Sequence, residues 1–554
     1  MNNSFVNSEN LFYKKKVMVI VPHQDDETIL CGGILKNLVK LNCEIIIVYS
    51  TNGDYFVPAK IRMREAIHAL SKLGIKEKKV IFLGYPDQYS KENDHLYMTK
   101  DNNIWTSKWQ KRETYGPGKL EEYRMLKSRM HSKLNYANFI VDIKDVITEY
   151  LPEIIFTIDF DSHPDHRALS LGFEKALGII LQENKNYYPL VFKGFAYPTA
   201  YFGINDFENE NIESTKFMTE KSSKFKMQNQ YYNFNDRIRF TINSDNLHKL
   251  LTKNRLFKAL KAHKSQLIIE KANSIINGDQ IFWQRRTDNL LNVAEITTSS
   301  GNPNYLHDFM YFDCSDIMNG QEKETKYLDN YWKPNVDDNK KEITINFFEP
   351  HKINDIFIIQ PCHINAVINK VEILINNKSI GIFEIGKEFK KKINLNLEYK
   401  VTNIIIRIVD TENLAGISEI EIYEKKSVNL QFLKLMIDDN FIYNYIYNEE
   451  KKIQIYGYNG IQSVFIPYNE VEFELENISI NNNIIKLLDK KGKIKVTYKK
   501  DKNIYDIVEI RKKTTLIKNS TLLIQTINKV MLKGIIFYQK AIRKVKKMLV
   551  KNYA

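Results

Sequence analysis

The chain has 554 residues, too many for one hydrophobic core, so roughly three or four domains are expected. Hydrophobic residues make up 43% and aromatic residues 12%, which excludes a disordered chain. The net charge of +14 is gathered at one end. No acidic residue follows Glu509, whereas Arg511, Lys512, Lys513, Lys518, Lys529, Lys533, Lys540, Arg543, Lys544, Lys546, Lys547 and Lys551 do, so any acidic partner is met by the tail. Cys31, Cys43, Cys314 and Cys362 show no paired spacing and argue against a disulfide framework or a thiolate zinc site. The polar first ten residues lack the apolar region of a secretory signal, and no apolar run reaches the ~18 residues that span a bilayer. The expected location is the cytoplasm.

Residues 14 to about 180 alternate strand and helix. Val17–Val21 reads as a buried parallel strand that ends abruptly in Pro22-His23-Gln24-Asp25-Asp26-Glu27. Thr28–Leu41 is a helix, Glu44–Tyr49 a second strand running into Thr51-Asn52-Gly53-Asp54, Ile61–Leu73 a helix and Val80–Leu83 a third strand. Residues 84–138 form a long polar and aromatic segment, of the kind that serves as a lid or binding loop. Ile140–Tyr150 is helical, and a fourth strand, Ile154–Ile158, leads to Asp159-Phe160-Asp161-Ser162-His163-Pro164-Asp165-His166. This rhythm argues for an α/β, Rossmann-like doubly wound parallel sheet. No glycine-rich phosphate loop follows the first strand, so nucleotide binding has no support.

Further on, Tyr188–Tyr201 is apolar, residues 205–235 are a polar excursion, and Asn246–Ile269 is expected to be helical. From about 313 short strands broken by turns take over, as in an antiparallel sandwich, and a second β-rich block covers about 428–512. Leu516–Tyr553 reads as an amphipathic helix with Lys and Arg between its apolar positions. Such a helix suits an anionic membrane surface, the alternative being a helix packed on the preceding domain or on a second subunit. The expected domains are 1–312, 313–426, 427–513 and 514–554.

Chemistry is concentrated at two strand ends. A crossover sheet can bring the clusters at His23–Glu27 and His163–His166 into one crevice. A mixture of His and Asp suits a hydrolytic metal centre, in which three protein ligands leave one position open.

The pair Pro-His-x-Asp-Asp-Glu and His-Pro-Asp-His resembles the PIG-L or LmbE-like zinc-dependent N-acetylglucosaminyl deacetylases. The Thr51–Asp54 loop, Arg62-x-x-Glu65 and Ala262-His263-Lys264-Ser265-Gln266 extend the likeness over about residues 14–300. The resemblance implies that His23, Asp26 and His166 bind Zn2+ and that Asp25 is the general base. It implies that His163 polarises the amide carbonyl, steadies the oxyanion or protonates the leaving amine, and that Asp165 orients an imidazole of its own cluster. Arg62 and Asp54 would lie near the substrate, and Glu27 would secure the helix start. Two positions depart from the family pattern: Gln24 replaces a proline, and Asp161 stands where some members carry Tyr. Residues 325–425 resemble discoidin-like, galactose-binding-like sandwiches.

The expected activity is hydrolysis of the acetamide of an N-acetylhexosamine, foremost N-acetylglucosamine, on a lipid-linked glycan or envelope polysaccharide precursor. The partners would be that glycan or glycolipid and, through the tail, the inner face of the cell membrane, with no nucleic acid. A deacetylase of a small soluble GlcNAc conjugate and a non-catalytic glycan-binding protein are the alternatives.

Overall fold

In the computed structural model the apolar run of the first strand is the centre of a mixed sheet. The structure describes residues 11–551 except 90–94, 100–101, 160, 162, 197–200, 204–214, 219–237, 243–247, 249, 277–278, 312–330, 362–366, 396, 413–415, 425–429, 431, 438–439, 442–444, 447–449, 459–462 and 513–514. Strands β1 (Lys16–Val21), β2 (Glu44–Thr51), β3 (Val80–Tyr85), β4 (Ile154–Ile158) and β5 (Leu190–Gly194) pair in parallel in the order β3-β2-β1-β4-β5. Two short strands, β6 (Tyr201–Gly203) and β7 (Thr215–Met218), pair with each other. They are the described parts of the stretch around the expected 205–235 excursion, which otherwise lies outside the described residues. β8 (Ile238–Thr241) and β9 (Asp279–Arg285) complete the main sheet antiparallel, beyond β5.

The side-chain alternation of the strands divides two cores. Met18 and Ile20 of β1, with Ile46 and Val48 of β2, face one layer. Val17, Val19 and Val21, with Ile45, Ile47 and Tyr49, face the other. Helices α1 (Asp26–Lys40), α2 (Ala59–Leu73) and α3 (Tyr136–Tyr150) overlap the helices expected from the sequence, and α4 (Pro164–Glu183) follows β4, where none was named. α2 stops at Gly74, whose φ of 93° gives the left-handed cap that a side chain resists.

The expected helix over Asn246–Ile269 is shorter. α5 spans Arg255–Ala262, because Asn254 caps its start by accepting from the Phe257 amide at 2.9 Å and the chain turns away at His263. The described residues of the 84–138 segment are tied down by hydrogen bonds. Trp105 N donates to Leu134 O at 2.7 Å, Thr114 N to Ser132 O at 2.8 Å, and Asn52 Nδ2 to Tyr115 O at 2.9 Å.

The antiparallel strands that follow form a five-stranded and a three-stranded sheet around one core that includes Trp332, Ile345, Ile373, Ile406 and Ile420. Its edge strand is Ala294–Thr298, paired with Glu342–His351. The sandwich therefore begins ahead of the expected boundary at 313, because Leu290, Leu291 and Leu306 are already in its core. It is joined to the first domain by buried charge. Arg285 of β9 pairs with Glu421, which also takes Lys390 Nζ at 2.6 Å and Tyr311 Oη at 2.7 Å. Strands from Phe432–Ile437 to Asp501–Lys512 enclose a separate core.

The last helix, α6 (Thr515–Lys551), is docked along part of its length. Leu532 is buried with Leu251, Leu256 and Leu260, Asn528 Oδ1 accepts from Leu251 N at 3.2 Å, and Lys540 pairs with Glu270 at 2.9 Å. Leu522, Leu523, Ile527, Val530, Phe537 and Tyr538 remain exposed. Among the described residues no helix is long and apolar enough to cross a membrane.

Candidate active site

Between β1 and β4 the strand order reverses, because β2 and β3 lie on one side of β1 and β4 and β5 on the other. Open α/β sheets leave a crevice at the carboxyl ends of strands at such a point. His23 stands two residues beyond β1, and Asp25 and Asp26 open α1. On the other side of the crevice His163 caps α4, with Pro164 in the first turn, where a missing amide costs nothing. Asp25 has a φ of 155°, a backbone state that L-residues rarely adopt and that concentrates at working sites.

The two clusters meet. His23 Nδ1 lies 3.2 Å from Asp26 Oδ2 and 3.1 Å from His166 Nε2, and His166 Nε2 lies 3.3 Å from the same Asp26 oxygen. A tetrahedral ion with bonds of about 2.0–2.1 Å separates its ligands by about 3.3 Å, so these three atoms fit one face of such a shell. Two imidazole nitrogens at 3.1 Å also compete for one proton unless a cation takes its place. The donor set of two imidazoles and a carboxylate is the one that borderline divalent metals favour. His163 stands beside it, its ring 4.5 Å from that of His23 and 4.9 Å from that of His166. His23, His163 and His166 all offer nitrogen atoms within reach of one ion.

Both imidazoles of this triangle are aimed by carboxylates on their far nitrogens. Asp161 Oδ2 holds His166 Nδ1 at 2.7 Å, and Asp165 Oδ2 holds His23 Nε2 at 2.9 Å. Asp165 therefore orients the imidazole of the other cluster, not its own as expected. Its remaining partners are His95 Nε2 at 3.0 Å and the Gln88 amide at 3.0 Å. The Asp165 amide in turn donates to His163 Nδ1 at 3.2 Å, which leaves Nε2 as the protonated nitrogen of a neutral His163.

The charges follow from burial and neighbours. Burial opposes a charged His23, but Asp87, Asp165 and Asp26 outweigh it and raise its pKa well above the imidazole norm. Burial likewise opposes a charged His166, yet Asp161 and Asp26 push its pKa up to about 9. Burial works against an ionised Asp26, but His166 and His23 hold its pKa well below the carboxylate norm. His163 goes the other way, depressed by burial and by the charges of His23 and His166. Asp25 is pushed up to about 6 by burial, against the pull of Arg62.

A cavity of about 340 Å³ opens over this centre, lined by His23, Asp25, Asp26, Arg62, His163 and His166. Tyr55, Phe56, Asp87, Tyr89, Gln266 and Lys271 also contribute to its wall. Arg62 is spent on the protein: Nη2 reaches Asp25 Oδ1 at 3.0 Å and Gln24 O at 3.1 Å, and Nη1 reaches Gly53 O at 3.1 Å. A Cβ at Gly53 would fall 2.8 Å from the Arg62 guanidinium carbon, so that position has room only for glycine. Asp54 does not line the cavity. It is buried behind it, accepting from the Asp87 amide at 2.7 Å and from Tyr115 Oη. Glu27 secures the helix start as expected, accepting from the Asp25 amide at 3.0 Å, and also meets His263 Nε2 at 3.3 Å. The Arg62-x-x-Glu65 and Ala262–Gln266 motifs touch, since Ser265 Oγ donates to Glu65 at 2.6 Å.

Residues 18–177 match the sequence model of the PIG-L family, described as GlcNAc-PI de-N-acetylase. That segment contains both strand-end clusters. A probable N-acetylglucosaminyl-phosphatidylinositol de-N-acetylase of Dictyostelium discoideum is 27% identical over 106 residues, which is 19% of this chain. The chain spans 40% of the length of that relative. Among solved structures, N,N'-diacetylchitobiose deacetylase from Pyrococcus horikoshii is 17% identical over 49% of this chain and 84% of its own, with a TM-score of 0.27. A deacetylase of teicoplanin biosynthesis is 14% identical over 49% of this chain and 99% of its own, at 0.30. A family 32 CBM of Clostridium perfringens NanJ, in complex with galactose, is 17% identical over 24% of this chain and 96% of its own, at 0.18. All three overall likenesses are remote.

Within the matched segment Asp87 and His95 were not singled out from the sequence, and Asp161 was named there without a role. Asp87 follows β3 as His23 follows β1, so the same strand-end rule would have found it. Asp161 lies in the loop after β4, two residues before His163.

Proposed function

We propose that this protein is a zinc-dependent N-deacetylase. It hydrolyses the acetamide of an N-acetylhexosamine, foremost N-acetylglucosamine, on a lipid-linked glycan or cell-envelope polysaccharide precursor, releasing acetate and a free amine. The observation that carries this reading is the triangle of His23 Nδ1, Asp26 Oδ2 and His166 Nε2, with sides of 3.1–3.3 Å, beside Asp25 on a cavity wall. The PIG-L match over the same residues supports it.

Zinc held by those three atoms would acidify a water and polarise the amide carbonyl. Asp25, steadied by Arg62, takes the proton of the attacking water. His163 donates from Nε2 toward the carbonyl oxygen, and the proton that Asp25 has taken passes to the departing amine. Asp161 and Asp165 keep the ligand imidazoles aimed.

The setting we propose is an anionic membrane surface. Nine basic and no acidic residues lie in α6, and its outward apolar side chains, Phe537 at 76% and Val530 at 69% exposure among them, have no cover among the described residues. Because Leu532 and Asn528 dock the helix, surface substitution tests this better than truncation. Val530→Ser with Phe537→Ser should move the protein off vesicles containing anionic lipid, and unchanged sedimentation would refute the membrane setting. For the chemistry, acetate release from N-acetylglucosamine-bearing lipids and oligosaccharides should vanish with chelator and return with zinc. Release that survives metal removal would refute the proposed reaction.

A further inference from the structure

The wall of the cavity that faces β2 and β3 is aromatic, and its rings run outward past the rim. Tyr55 and Phe56 follow the β2 loop and Tyr89 follows β3. Tyr55 and Phe56 meet edge to face at 4.7 Å, and Tyr89 lies 6.0 and 6.1 Å from them. Tyr89 also lies 5.3 Å from the His163 ring, so the shelf begins at the reacting centre. Trp109 joins it through Lys108, whose Nζ stands 5.1 Å from its ring centre, and is pinned by a hydrogen bond from Nε1 to Asp54 O at 2.9 Å. Phe56, Tyr89 and Trp109 are 63, 47 and 50% exposed, apolar surface of the kind that marks a binding site.

Lys108 is set into this shelf. Its Nζ is 4.0 Å from the centre of the Tyr55 ring, 5.1 Å from that of Trp109 and 5.4 Å from that of Phe56, and it donates to Tyr55 O at 3.1 Å. No carboxylate pairs with it among the described residues. The rings and the carbonyl hold an ammonium in place with donors left over.

We infer that Tyr55, Phe56, Tyr89, Trp109 and Lys108 form a second sugar subsite, which takes the pyranose bonded to the reacting N-acetylhexosamine and reads an anionic group on it. The identity of the first ring rests on the deacetylase reading above. A cavity of 340 Å³ is near the lower end of the ~300–1,000 Å³ of ligand sites, so a longer glycan must leave over the rim. The rest of the lining includes the polar side chains of Gln266, Glu270 and Lys271, whereas Tyr55, Phe56 and Tyr89 offer ring faces. The negative faces of aromatic rings attract the polarised C–H face of a pyranose, and Lys108 supplies the charge that complements a carboxylate or a phosphate.

The test compares acetate release from the methyl glycoside of N-acetylglucosamine, from neutral N,N'-diacetylchitobiose, and from disaccharides whose second residue carries a carboxylate or a phosphodiester. The wild-type protein should rank acidic disaccharide over neutral disaccharide over methyl glycoside in kcat/KM, and the two acidic arms tell which anion is read. Trp109→Ala should lower the disaccharide-to-glycoside ratio about tenfold, through KM. Lys108→Gln should erase the preference for acid over neutral disaccharide. Tryptophan fluorescence of the chelated protein, titrated with the deacetylated acidic disaccharide, gives a readout free of catalysis, and its quench should be absent in Trp109→Ala. Acetate release with no preference for disaccharides, or equal losses on all substrates in both variants, overturns the subsite and leaves the deacetylase standing. A quench that depends on Trp109 and Lys108, without acetate release from any substrate, keeps the subsite and overturns the deacetylase.

Discussion

Two clusters of buried charge in this chain look alike in composition and differ in arrangement. Where the sandwich meets the first domain, Glu421 receives Arg285, Lys390 and Tyr311, so one carboxylate is surrounded by donors. Burial works against its ionised form, but Lys390 and Arg285 hold its pKa down at about 2. At the strand ends of the parallel sheet the proportions reverse. Asp25, Asp26, Asp87, Asp161 and Asp165 crowd around imidazoles and one guanidinium, and two imidazole nitrogens face each other at 3.1 Å. A carboxylate ringed by donors in this way is a structural joint. A cluster with an excess of acceptor atoms beneath a cavity offers the donors that a cation takes.

The largest effect that would break this contrast is at the ligands. His166→Ala should abolish stoichiometric metal binding and acetate release together, read by elemental analysis and an acetate assay. Asp25→Asn comes next, with kcat down about 10²–10⁴-fold and metal content unchanged, because it removes a proton acceptor and no ligand. If metal is lost with Asp25, it is a ligand and the division of roles fails.

At the structural joint, Glu421→Gln should cost about 3 kcal/mol near neutral pH, read by denaturant unfolding, with metal content intact. The sign of its pH dependence follows from the depressed pKa. The stabilisation from Glu421 is complete above the carboxylate norm of 4.5 and is lost as the pH falls toward about 2, so the gap between variant and parent should close over that range. A gap independent of pH would mean that the charge of Glu421 is not what stabilises the joint. The smallest effect is expected at the aiming groups. Asp161→Asn should weaken metal binding about 10–100-fold without abolishing it, measured by competition with a chelator of known affinity.

The strand ends were legible because hydrophobic runs that stop at His and Asp are a local signal. His23, Asp25, Asp26, His163 and His166 could all be named from the sequence, and the structure brings them to one cavity. What was not legible depends on the order of strands. Asp165 reaches across to His23 instead of serving its own cluster because β1 and β4 are neighbours, a fact no spacing along the chain contains. Asp54 sits in a motif loop yet is turned into the protein by Tyr115 and the Asp87 amide, partners more than thirty residues away in sequence. The sandwich edge at Ala294–Thr298 is five residues long with a half-exposed pattern, too short a run to stand out before its partner Glu342–His351 is known. The amphipathic pattern of α6 was plain, but a pattern does not say what each side meets. Leu532 is covered by the first domain and Phe537 is bare.

The proposed deacetylase stands or falls with one metal ion held by His23, Asp26 and His166 at the switch point of the sheet. Metal content per chain, measured on the purified protein and on Asp26→Ala and His166→Ala, tests it most directly. About one equivalent of zinc is expected in the parent and none in either variant, with all three folded by circular dichroism. Full metal content in either variant, or a parent that takes up no metal from zinc-supplemented buffer, would contradict it.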